Sequence, residues 1–272
     1  MSNPLEFILA TLCLLASTGF GSGADSAGFS YYGNPATMGP TPDKWGDNPL
    51  WRTCAVGREQ SPIDVDTKTV TLVINDIFGL DTSYFPENGS FFINSANIIQ
   101  VKLNGEGRLK IQEKTYFLQQ FHFHAPSEHT IDGVRFPLEM HLVHKSETGE
   151  LAVIGIPFAY GEKNEFLATF WDKLPLLTDS NPSINLTYVD VREPNVHLRP
   201  AYARYNGSLT TPPCTEGVTW SVILGEANTV SKKQVETYNK RLPYPNARPS
   251  QPLNDREVKR NVFHGPRRKP HV

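Results

Sequence analysis

The stretch Tyr116-Phe-Leu-Gln-Gln-Phe-His-Phe-His124 is the most informative segment of this 272-residue chain. It is rich in aromatic residues, as β-strands are. Gln120, His122 and His124 alternate with apolar residues, and successive side chains of a strand point to opposite faces of a sheet. The pattern therefore predicts one strand that carries all three polar side chains on the same face.

A second stretch, Leu138-Glu-Met-His-Leu-Val-His144, shows the same alternation. Glu139 and His141 are expected to share one face of this second strand. If the two strands are neighbours in one sheet, His122, His124 and His141 can meet at a common point. Two histidines separated by one residue also occur in strands that bind no metal, and spacing alone does not establish that the strands are adjacent.

Three neutral imidazoles suit zinc, and they leave the fourth tetrahedral position open for water. An open position is typical of a catalytic site, whereas structural zinc sites are closed, usually by cysteine. A metal-bound histidine normally donates its second N–H to a carboxylate or a carbonyl. Glu139 can accept from His141, and Gln120 can accept from His122. The sequence therefore predicts one catalytic Zn²⁺ per chain.

The composition excludes some classes of protein. A formal net charge of −2 argues against a general nucleic-acid binder, which would carry a basic surface. After the N-terminal region, no segment reaches 18 uninterrupted apolar residues, so no transmembrane helix is predicted. We therefore expect neither nucleic acid nor a membrane span among the interactions of this protein.

The N-terminal residues have the pattern of a secretory signal peptide. An apolar run from Phe7 to Phe20, too short to span a bilayer comfortably, is followed by small residues. We assign residues 1–23 to the signal peptide and predict secretion or another form of export. A signal peptide normally begins with a basic region, but the residues before this run include Glu6 and no basic residue. A buried N-terminal helix is therefore the alternative.

The cysteines agree with export. Of three cysteines, Cys13 would be removed with the signal peptide, which leaves Cys54 and Cys214. Disulfides persist in exported proteins. A bridge between these two would close a loop of about 160 residues. The chain-entropy relation gives about 5 kcal/mol of stabilisation for a loop of this length. Two free buried thiols are the alternative.

Residues 24–264 are expected to form one domain, and the basic residues 265–272 a disordered tail. Within the domain, Asn88, Asn185 and Asn206 each begin an Asn-x-Ser/Thr triplet and are candidate glycosylation sites.

Most of the domain is predicted to be β. Two segments look helical, Asn164 to Leu177 and Ser231 to Arg241, the second with Ser231 as its N-cap. His129 and His144 are interpreted as packing or hydrogen-bonding histidines. Stretches rich in β-branched and aromatic residues, bounded by turn formers, predict strands at 70–75, 98–103, 116–124, 138–144, 151–156 and 218–224.

Five motifs, in family order between roughly residues 29 and 262, together resemble the α-class carbonic anhydrases. They are Gln60-Ser-Pro-Ile-Asp-Val, Gln120-Phe-His-Phe-His, Ser127-Glu-His-Thr, Glu139-Met-His-Leu-Val-His and Gly207-Ser-Leu-Thr-Thr-Pro-Pro-Cys-Thr-Glu-Gly-Val-Thr-Trp. The resemblance implies a mostly β (α+β) single domain around a central, mostly antiparallel, ten-stranded twisted sheet with a few surface helices. It also implies zinc on His122, His124 and His141, and reversible hydration of CO2 to bicarbonate and a proton.

The resemblance assigns roles to further residues. Thr210 would accept a hydrogen bond from the zinc-bound hydroxide and be oriented by Glu128, although an ordinary strand–loop hydrogen bond is the alternative for this pair. The backbone N–H of Thr210 would face the substrate or an anionic inhibitor, and Thr211 would help to hold the water network. Matching positions place an apolar wall for CO2 at Val143, Val153, Leu209, Val218 and Trp220.

Two further implications concern the frame of the site. Asn246 would orient His124 through its backbone carbonyl, and Cys54 and Cys214 match the disulfide common in secreted members. Inhibition by anions and sulfonamides is also implied by the resemblance.

The proton path departs from the family pattern. Fast members often carry a histidine shuttle, and Asn97 occupies that position here. Asparagine does not titrate near neutral pH, so the enzyme is predicted to be slower or more buffer-dependent than relatives with the shuttle. Tyr31 and Gln100 match positions that help to order the solvent path, although Phe29-Ser30 replaces the usual Trp-Gly before the tyrosine.

Other functions on the same fold are the alternatives. A catalytically weak binding, storage or matrix protein would fit the fold, and such relatives have typically lost a zinc histidine, whereas all three are present here. Long acidic or Gly-Asn repeats, which a dedicated matrix protein would favour, are absent from the sequence. Hydrolysis of esters is expected only as a side activity because the pocket is small and apolar.

Overall fold

The computed structural model describes residues 28–32, 39–74, 80–93, 98–178, 180–192, 201–224 and 228–262. The predictions for the signal peptide at 1–23, for Cys13, for Asn97 and for the tail at 265–272 lie outside these residues. Strands dominate the described part of the chain, as the alternating sequence patterns predict.

The strands and helices have the following bounds. The strands are β1 Asp64–Val65, β2 Thr71–Ile74, β3 Asp81–Ser83, β4 Glu87–Ile93, β5 Ile99–Leu103, β6 Arg108–Ile111, β7 Lys114–His124, β8 Thr130–Ile131, β9 Val134–Arg135, β10 Leu138–Ser146, β11 Leu151–Tyr160, β12 Ser183–Val189, β13 Tyr202–Ser208, β14 Glu216–Ile223, β15 Asn228–Val230 and β16 Lys259–Val262. The α-helices are α1 Thr53–Val56, α2 Glu165–Ala168 and α3 Lys232–Arg241, and short 3₁₀ helices span Trp45–Asp47, Pro49–Trp51 and Trp171–Leu176.

One large sheet organises the fold. Among the described residues, ten strands follow one another across it in the order β12-β4-β5-β7-β10-β11-β14-β13-β16-β2, with β3, β6 and β15 pairing beside this path. Neighbours on the path are antiparallel except β11 with β14 and β16 with β2, which are parallel. The predicted mostly antiparallel ten-stranded sheet is confirmed.

Of the two predicted helices, the second is confirmed. Ser231 caps α3 by accepting the backbone N–H of Gln234, and the Gln234 side chain accepts the backbone N–H of Ser231 in return. This reciprocal pair satisfies two N–H groups that have no partner within a helix. None of the helices in the described ranges is long and apolar enough to cross a membrane.

The prediction of one continuous helix from Asn164 to Leu177 is wrong. Asn164 caps only the short helix α2, and the chain then leaves α-helical geometry at Phe170, where φ is −141°. A 3₁₀ helix follows and contains Pro175. Proline lacks the N–H that an α-helix requires and its ring clashes with the preceding turn, so this segment cannot continue as a regular helix.

This broken helical segment covers one face of the sheet. Its Phe170 and Trp171 pack against Phe121 and Phe123 of β7, with ring centroids 6.0 Å and 4.9 Å apart. All four side chains are buried, and each contributes on the order of 1.5–3 kcal/mol by leaving water. Because side chains alternate along β7, this packing directs its histidines to the opposite face.

A disulfide ties the N-terminal region to the loop after β13. Cys54 of α1 and Cys214 are bonded, 160 residues apart in sequence, and they pack with Trp45 in a small buried cluster. The expected pairing is therefore confirmed, and the alternative of two free thiols is wrong. The loop that the bridge fixes also contains Thr210 and Thr211.

Candidate active site

The register of β7 and β10 brings the three predicted histidines together. The strands are adjacent and antiparallel, with His122 opposite His141 and His124 opposite Glu139. The imidazole centroids lie 5.1 Å apart for His122 and His141, and 4.7 Å apart for His124 and His141. One nitrogen of each ring lies within 4.8 Å of the others. The alternation in sequence thus produces a compact three-histidine cluster.

The outer nitrogen of each histidine on β7 has a hydrogen-bond partner. Nδ1 of His122 lies 2.8 Å from Oε1 of Gln120. Nδ1 of His124 lies 2.6 Å from the backbone oxygen of Asn246. Because both partners are acceptors, each Nδ1 carries the hydrogen, and each Nε2 is left with a lone pair.

His141 is held through its other nitrogen. Its Nε2 lies 3.0 Å from Oε1 of Glu139, so Nε2 donates and Nδ1 is left with the lone pair. Nδ1 lies 3.3 Å from Nε2 of His122. Two acceptor nitrogens therefore face one another, an arrangement that a shared cation would stabilise.

The donor set fits a metal ion. Nε2 of His124 is buried, and it has no hydrogen-bond partner among the described residues. A buried polar atom without a partner costs free energy, and that cost is removed if the atom binds a ligand. Three imidazole lone pairs on one centre form the ligand set typical of an open zinc site.

Burial sets the charge of these histidines. It lowers the pKa of His124 to about 4, holds the pKa of His122 well below its ordinary value and lowers that of His141. All three rings are therefore neutral at neutral pH. Neutral imidazole is the form that binds a metal.

Glu139 is the most fully bonded acid of the site. Its Oε1 accepts from His141 and also from Nδ1 of His129 at 2.7 Å, and its Oε2 accepts the backbone N–H groups of Glu128 and His129 at 2.8 Å and 2.9 Å. Burial acts to raise its pKa, but His129 and His141 hold the pKa well below the ordinary range. Glu139 is therefore an anion that holds His141 in place.

Gly155 on β11 makes room for this carboxylate. A Cβ atom at Gly155 would lie 2.8 Å from Oε1 of Glu139 and 3.7 Å from Nδ1 of His129. Any larger residue would push the carboxylate away from its donors. Sequence reasoning missed this glycine because nothing near it in sequence indicates that a distant carboxylate approaches it.

Glu128 and Thr210 lie at the edge of the histidine cluster. Oε1 of Glu128 accepts the backbone N–H of Arg248 at 2.9 Å, and Oε2 lies 3.5 Å from Nε2 of His124 and 4.0 Å from Nδ1 of His141. Burial raises the pKa of Glu128 to about 7, while His141, Arg248 and the Thr210 hydroxyl act to lower it. The structure thus places the predicted acid–threonine pair beside the metal-binding nitrogens.

An apolar wall adjoins the histidines. The indole of Trp220 lies 4.8 Å from the ring of His141 and donates its N–H to the backbone oxygen of Ser208 at 2.9 Å. Because its N–H is already donated, Trp220 presents only apolar ring atoms to the three-histidine cluster. All five predicted wall residues belong to one apolar cluster: Val143, Val153, Leu209, Val218 and Trp220.

Two of the three predicted proton-path residues can be placed. The ring of Tyr31 packs edge-on against His124 at 6.3 Å, and burial raises the pKa of its hydroxyl well above the usual value. Gln100 on β5 lies opposite His122 of β7. Both therefore border the site, while Asn97 lies outside the described residues.

Arg248 is a site residue that sequence reasoning missed. Its buried guanidinium donates to Oε1 of Gln60 and to the backbone oxygens of Ser61 and Cys54, at 3.0, 2.8 and 3.1 Å. Its backbone N–H meanwhile donates to Glu128. The residue links the disulfide region to the acid of the site, and its only sequence signal is its position two residues after Asn246.

Comparisons with known proteins identify the family. A family model described as eukaryotic-type carbonic anhydrase matches residues 40–262. Alpha carbonic anhydrase 3 of Arabidopsis thaliana is 40% identical over 231 residues, covering 83% of this chain and 82% of that protein. A carbonic anhydrase of Pectobacterium carotovorum is 37% identical over 255 residues, covering 91% and 97%.

Solved structures agree. The α-carbonic anhydrase of Thermovibrio ammonificans, in complex with the inhibitor sulfanilamide, superposes with a TM-score of 0.75 at 34% identity, covering 86% of this chain and 100% of that one. Dioscorin complexed with ascorbate superposes with a TM-score of 0.76 at 37% identity, covering 86% and 97%. With a family match over most of its length and relatives at this identity, the chain belongs to the eukaryotic-type, or α-class, carbonic anhydrases.

Proposed function

We propose that this protein is a zinc enzyme that reversibly hydrates CO2 to bicarbonate and a proton. One observation carries the proposal: His122, His124 and His141 each have the outer nitrogen hydrogen-bonded and the inner nitrogen free to bind. Nε2 of His122, Nε2 of His124 and Nδ1 of His141 would hold one Zn²⁺. Carbonic anhydrase is the standard example of zinc lowering the pKa of a coordinated water to about 7.

Glu128 and Thr210 would orient the attacking oxygen. In its ionised form Glu128 can only accept, so the Thr210 hydroxyl would then donate to it and could only accept from the attacking oxygen. That constraint aims the oxygen lone pair at the substrate carbon, which is the geometric part of catalysis. The backbone N–H of Thr210 would face the substrate, and Thr211 would hold the neighbouring water.

The apolar wall would bind CO2 without coordinating it. The wall offers no free side-chain hydrogen-bonding group to a small linear molecule, because its one polar side-chain group, the Trp220 N–H, is already donated to a backbone oxygen. Its members are Val143, Val153, Leu209, Val218 and Trp220. Such a pocket admits CO2 and favours release of the charged product. Hydrolysis of activated esters would be a minor activity.

Sulfonamides and small anions are proposed as inhibitors. The related enzyme of Thermovibrio ammonificans was solved with sulfanilamide, and in this chain the three-histidine centre and Thr210 would supply the groups that bind such an inhibitor. We expect the inhibitor to compete with bicarbonate.

Proton export is proposed to be the slow part of turnover. Asn97 replaces the histidine shuttle, so Tyr31 and Gln100 would have to organise water that passes the proton to buffer. Neither Asn97 nor Gln100 titrates near neutral pH, and burial raises the pKa of Tyr31 further from it. Turnover at low buffer is therefore expected to be slow.

Export of the protein is part of the proposal. Residues 1–23 would be removed as a signal peptide, leaving the domain at 24–264 and the tail at 265–272. The Cys54–Cys214 disulfide supports an oxidising compartment. Asn88, Asn185 and Asn206 all have exposed side chains, as a glycan requires.

A binding or storage role on the same fold is the second candidate, and the similarity to dioscorin, which was solved with ascorbate, favours small-molecule binding. The complete set of inward-facing histidine nitrogens favours the enzyme. The two functions are separated by stopped-flow CO2 hydration on metal-free and zinc-loaded protein. We expect activity only with zinc, abolished by sulfanilamide, whereas stoichiometric zinc without hydration would support storage.

A further inference from the structure

A series of hydrogen bonds continues from Glu139 into the protein. Nδ1 of His129 lies 2.7 Å from Oε1 of Glu139, and Nε2 of His129 lies 2.7 Å from the hydroxyl of Tyr205. That hydroxyl lies 2.9 Å from Oγ of Ser61, which accepts the backbone N–H of Ser208 at 3.0 Å. All five residues are buried. We call this series the outer chain.

The directions of the hydrogen bonds in the outer chain follow from its Glu139 end, because an anionic carboxylate can only accept. Nδ1 of His129 must therefore carry a hydrogen, which it donates to the anionic Glu139. Tyr205 then donates to Nε2 of His129. The oxygen of Ser61 has two lone pairs and one hydrogen, so Ser61 can accept the backbone N–H of Ser208 and also donate to the hydroxyl of Tyr205.

The packing around Tyr205 makes these contacts close. A Cβ atom at Gly207 would lie 2.2 Å from Oγ of Ser61 and 2.7 Å from Cε2 of Tyr205, so only glycine permits this approach. The Tyr205 ring stacks on Trp220 at 6.3 Å and 11°, and the guanidinium of Arg256 lies 5.5 Å from it. The ring is thus held in place independently of its hydroxyl.

We propose that Tyr205 and Ser61 are positioning residues of the metal site. By holding His129 with its Nδ1–H toward Glu139, they help to hold that carboxylate against Nε2 of His141, which leaves Nδ1 of His141 to bind zinc. The inference rests on the proposed zinc site and extends it by three hydrogen bonds.

Loss of the Tyr205 hydroxyl would weaken the site in a defined way. Nε2 of His129 would be buried without a donor, so the ring would no longer be fixed in one orientation. Glu139 would then hold His141 less firmly. Groups that directly hold a metal ligand change metal affinity by about 10–100-fold, and for this more distant hydroxyl we expect roughly 3–10-fold faster zinc release.

The chain offers a matched control. Tyr84 and His144 form another buried pair, with the Tyr84 hydroxyl 2.8 Å from Nε2 of His144, and neither residue contacts the three-histidine cluster in the described contacts. Tyr84→Phe therefore removes the same kind of hydrogen bond at a similar depth. It reports the effect of lost stability alone.

The test is the rate of zinc release into excess chelator, followed with a metal-indicator dye, for wild type, Tyr205→Phe and Tyr84→Phe. We expect faster release only from Tyr205→Phe. Equal rates for all three proteins, or equal acceleration by both variants, would overturn the inference. If the wild type binds no zinc, the proposed function fails instead, so the two failures are distinguishable.

Two further measurements keep the test decisive if Tyr205→Phe folds poorly. Ser61→Ala should also accelerate release, and combining it with Tyr205→Phe should add little, because the outer chain is already broken. Fully additive effects would count against the proposal.

Imidazole ¹⁵N resonances should show a protonated Nδ1 on His129 in wild type and Tyr84→Phe, and mixed tautomers when Tyr205 or Ser61 is changed. An unchanged His129 signature would contradict the proposal.

Discussion

Oε2 of Glu128 and Nε2 of His124 lie 3.5 Å apart in the interior, and neither atom has a hydrogen-bond partner among the described residues. Two such atoms side by side are costly without a ligand. Zinc on the histidines, with Thr210 donating to Glu128, would satisfy both. Removal of this cost would contribute to the free energy of zinc binding.

Zinc removal should lower the stability of the whole domain. A ligand that binds only the folded state stabilises it by about 4 kcal/mol when its free concentration is 1,000 times the dissociation constant. Thermal unfolding of metal-free and zinc-loaded protein measures this. We expect a higher Tm with zinc, and Mg²⁺, which prefers oxygen ligands, serves as the control. The same Tm with and without zinc would argue against a preformed site.

Changing Thr210 should slow catalysis without removing zinc. Thr210→Ala deletes the hydroxyl that would aim the attacking oxygen, and a misplaced reactant typically costs about 100-fold in rate. Thr210→Ser keeps the hydroxyl and should retain most activity. Stopped-flow CO2 hydration and zinc content are measured on both variants. Full activity in Thr210→Ala would show that the Glu128–Thr210 pair is only structural.

Asn97→His should restore an internal proton shuttle. Histidine titrates near neutral pH and can pass a proton between the site and buffer, which asparagine cannot do. The prediction is a higher kcat at low buffer concentration, converging with wild type at high buffer, while kcat/KM for hydration changes little. No gain at low buffer would show that proton export is limited elsewhere.

His144 should make the domain less stable in acid. Burial lowers its pKa to about 4 from the ordinary 6.5, so on acidification the unfolded chain binds the proton first. Its contribution to the free energy of unfolding is therefore complete above about pH 6.5 and is lost as pH falls to about 4, by at most about 3 kcal/mol. Urea unfolding of metal-free wild type and His144→Gln across this range measures the difference. Parallel pH dependences would contradict the prediction.

The disulfide should matter for stability and for the site. Replacing both Cys54 and Cys214 by serine is expected to cost about 2–5 kcal/mol, as removal of native disulfides usually does. Because the bridge fixes the loop that carries Thr210, sulfonamide affinity should also fall. Binding and urea unfolding are compared in wild type and the double variant. Unchanged affinity in a destabilised variant would limit the role of the bridge to folding.

Local patterns predicted much of this protein. The alternation of histidines on β7 and β10 is a property of strand geometry, so it placed His122, His124 and His141 on the correct faces. The Ser231 cap is equally local. Adjacency of the two strands, by contrast, came from the register of the whole sheet, and only the family resemblance anticipated it.

Contacts between residues distant in sequence were not predictable in this way. His129 was correctly interpreted as a hydrogen-bonding residue, but its partner Tyr205 is 76 residues away, and no local pattern joins them. Gly155 and Arg248 gave no signal for the same reason. The helix predicted from Asn164 to Leu177 failed because its buried aromatic residues fit a helical pattern, whereas Pro175 forces a different backbone.

The most direct test of the central claim is the zinc content of purified protein, measured by elemental analysis on wild type, His141→Ala and the control His144→Gln. One zinc per chain is expected in wild type and in His144→Gln, and little in His141→Ala. Wild type without zinc, or a His141→Ala protein that retains it fully, would contradict a zinc centre built by His122, His124 and His141.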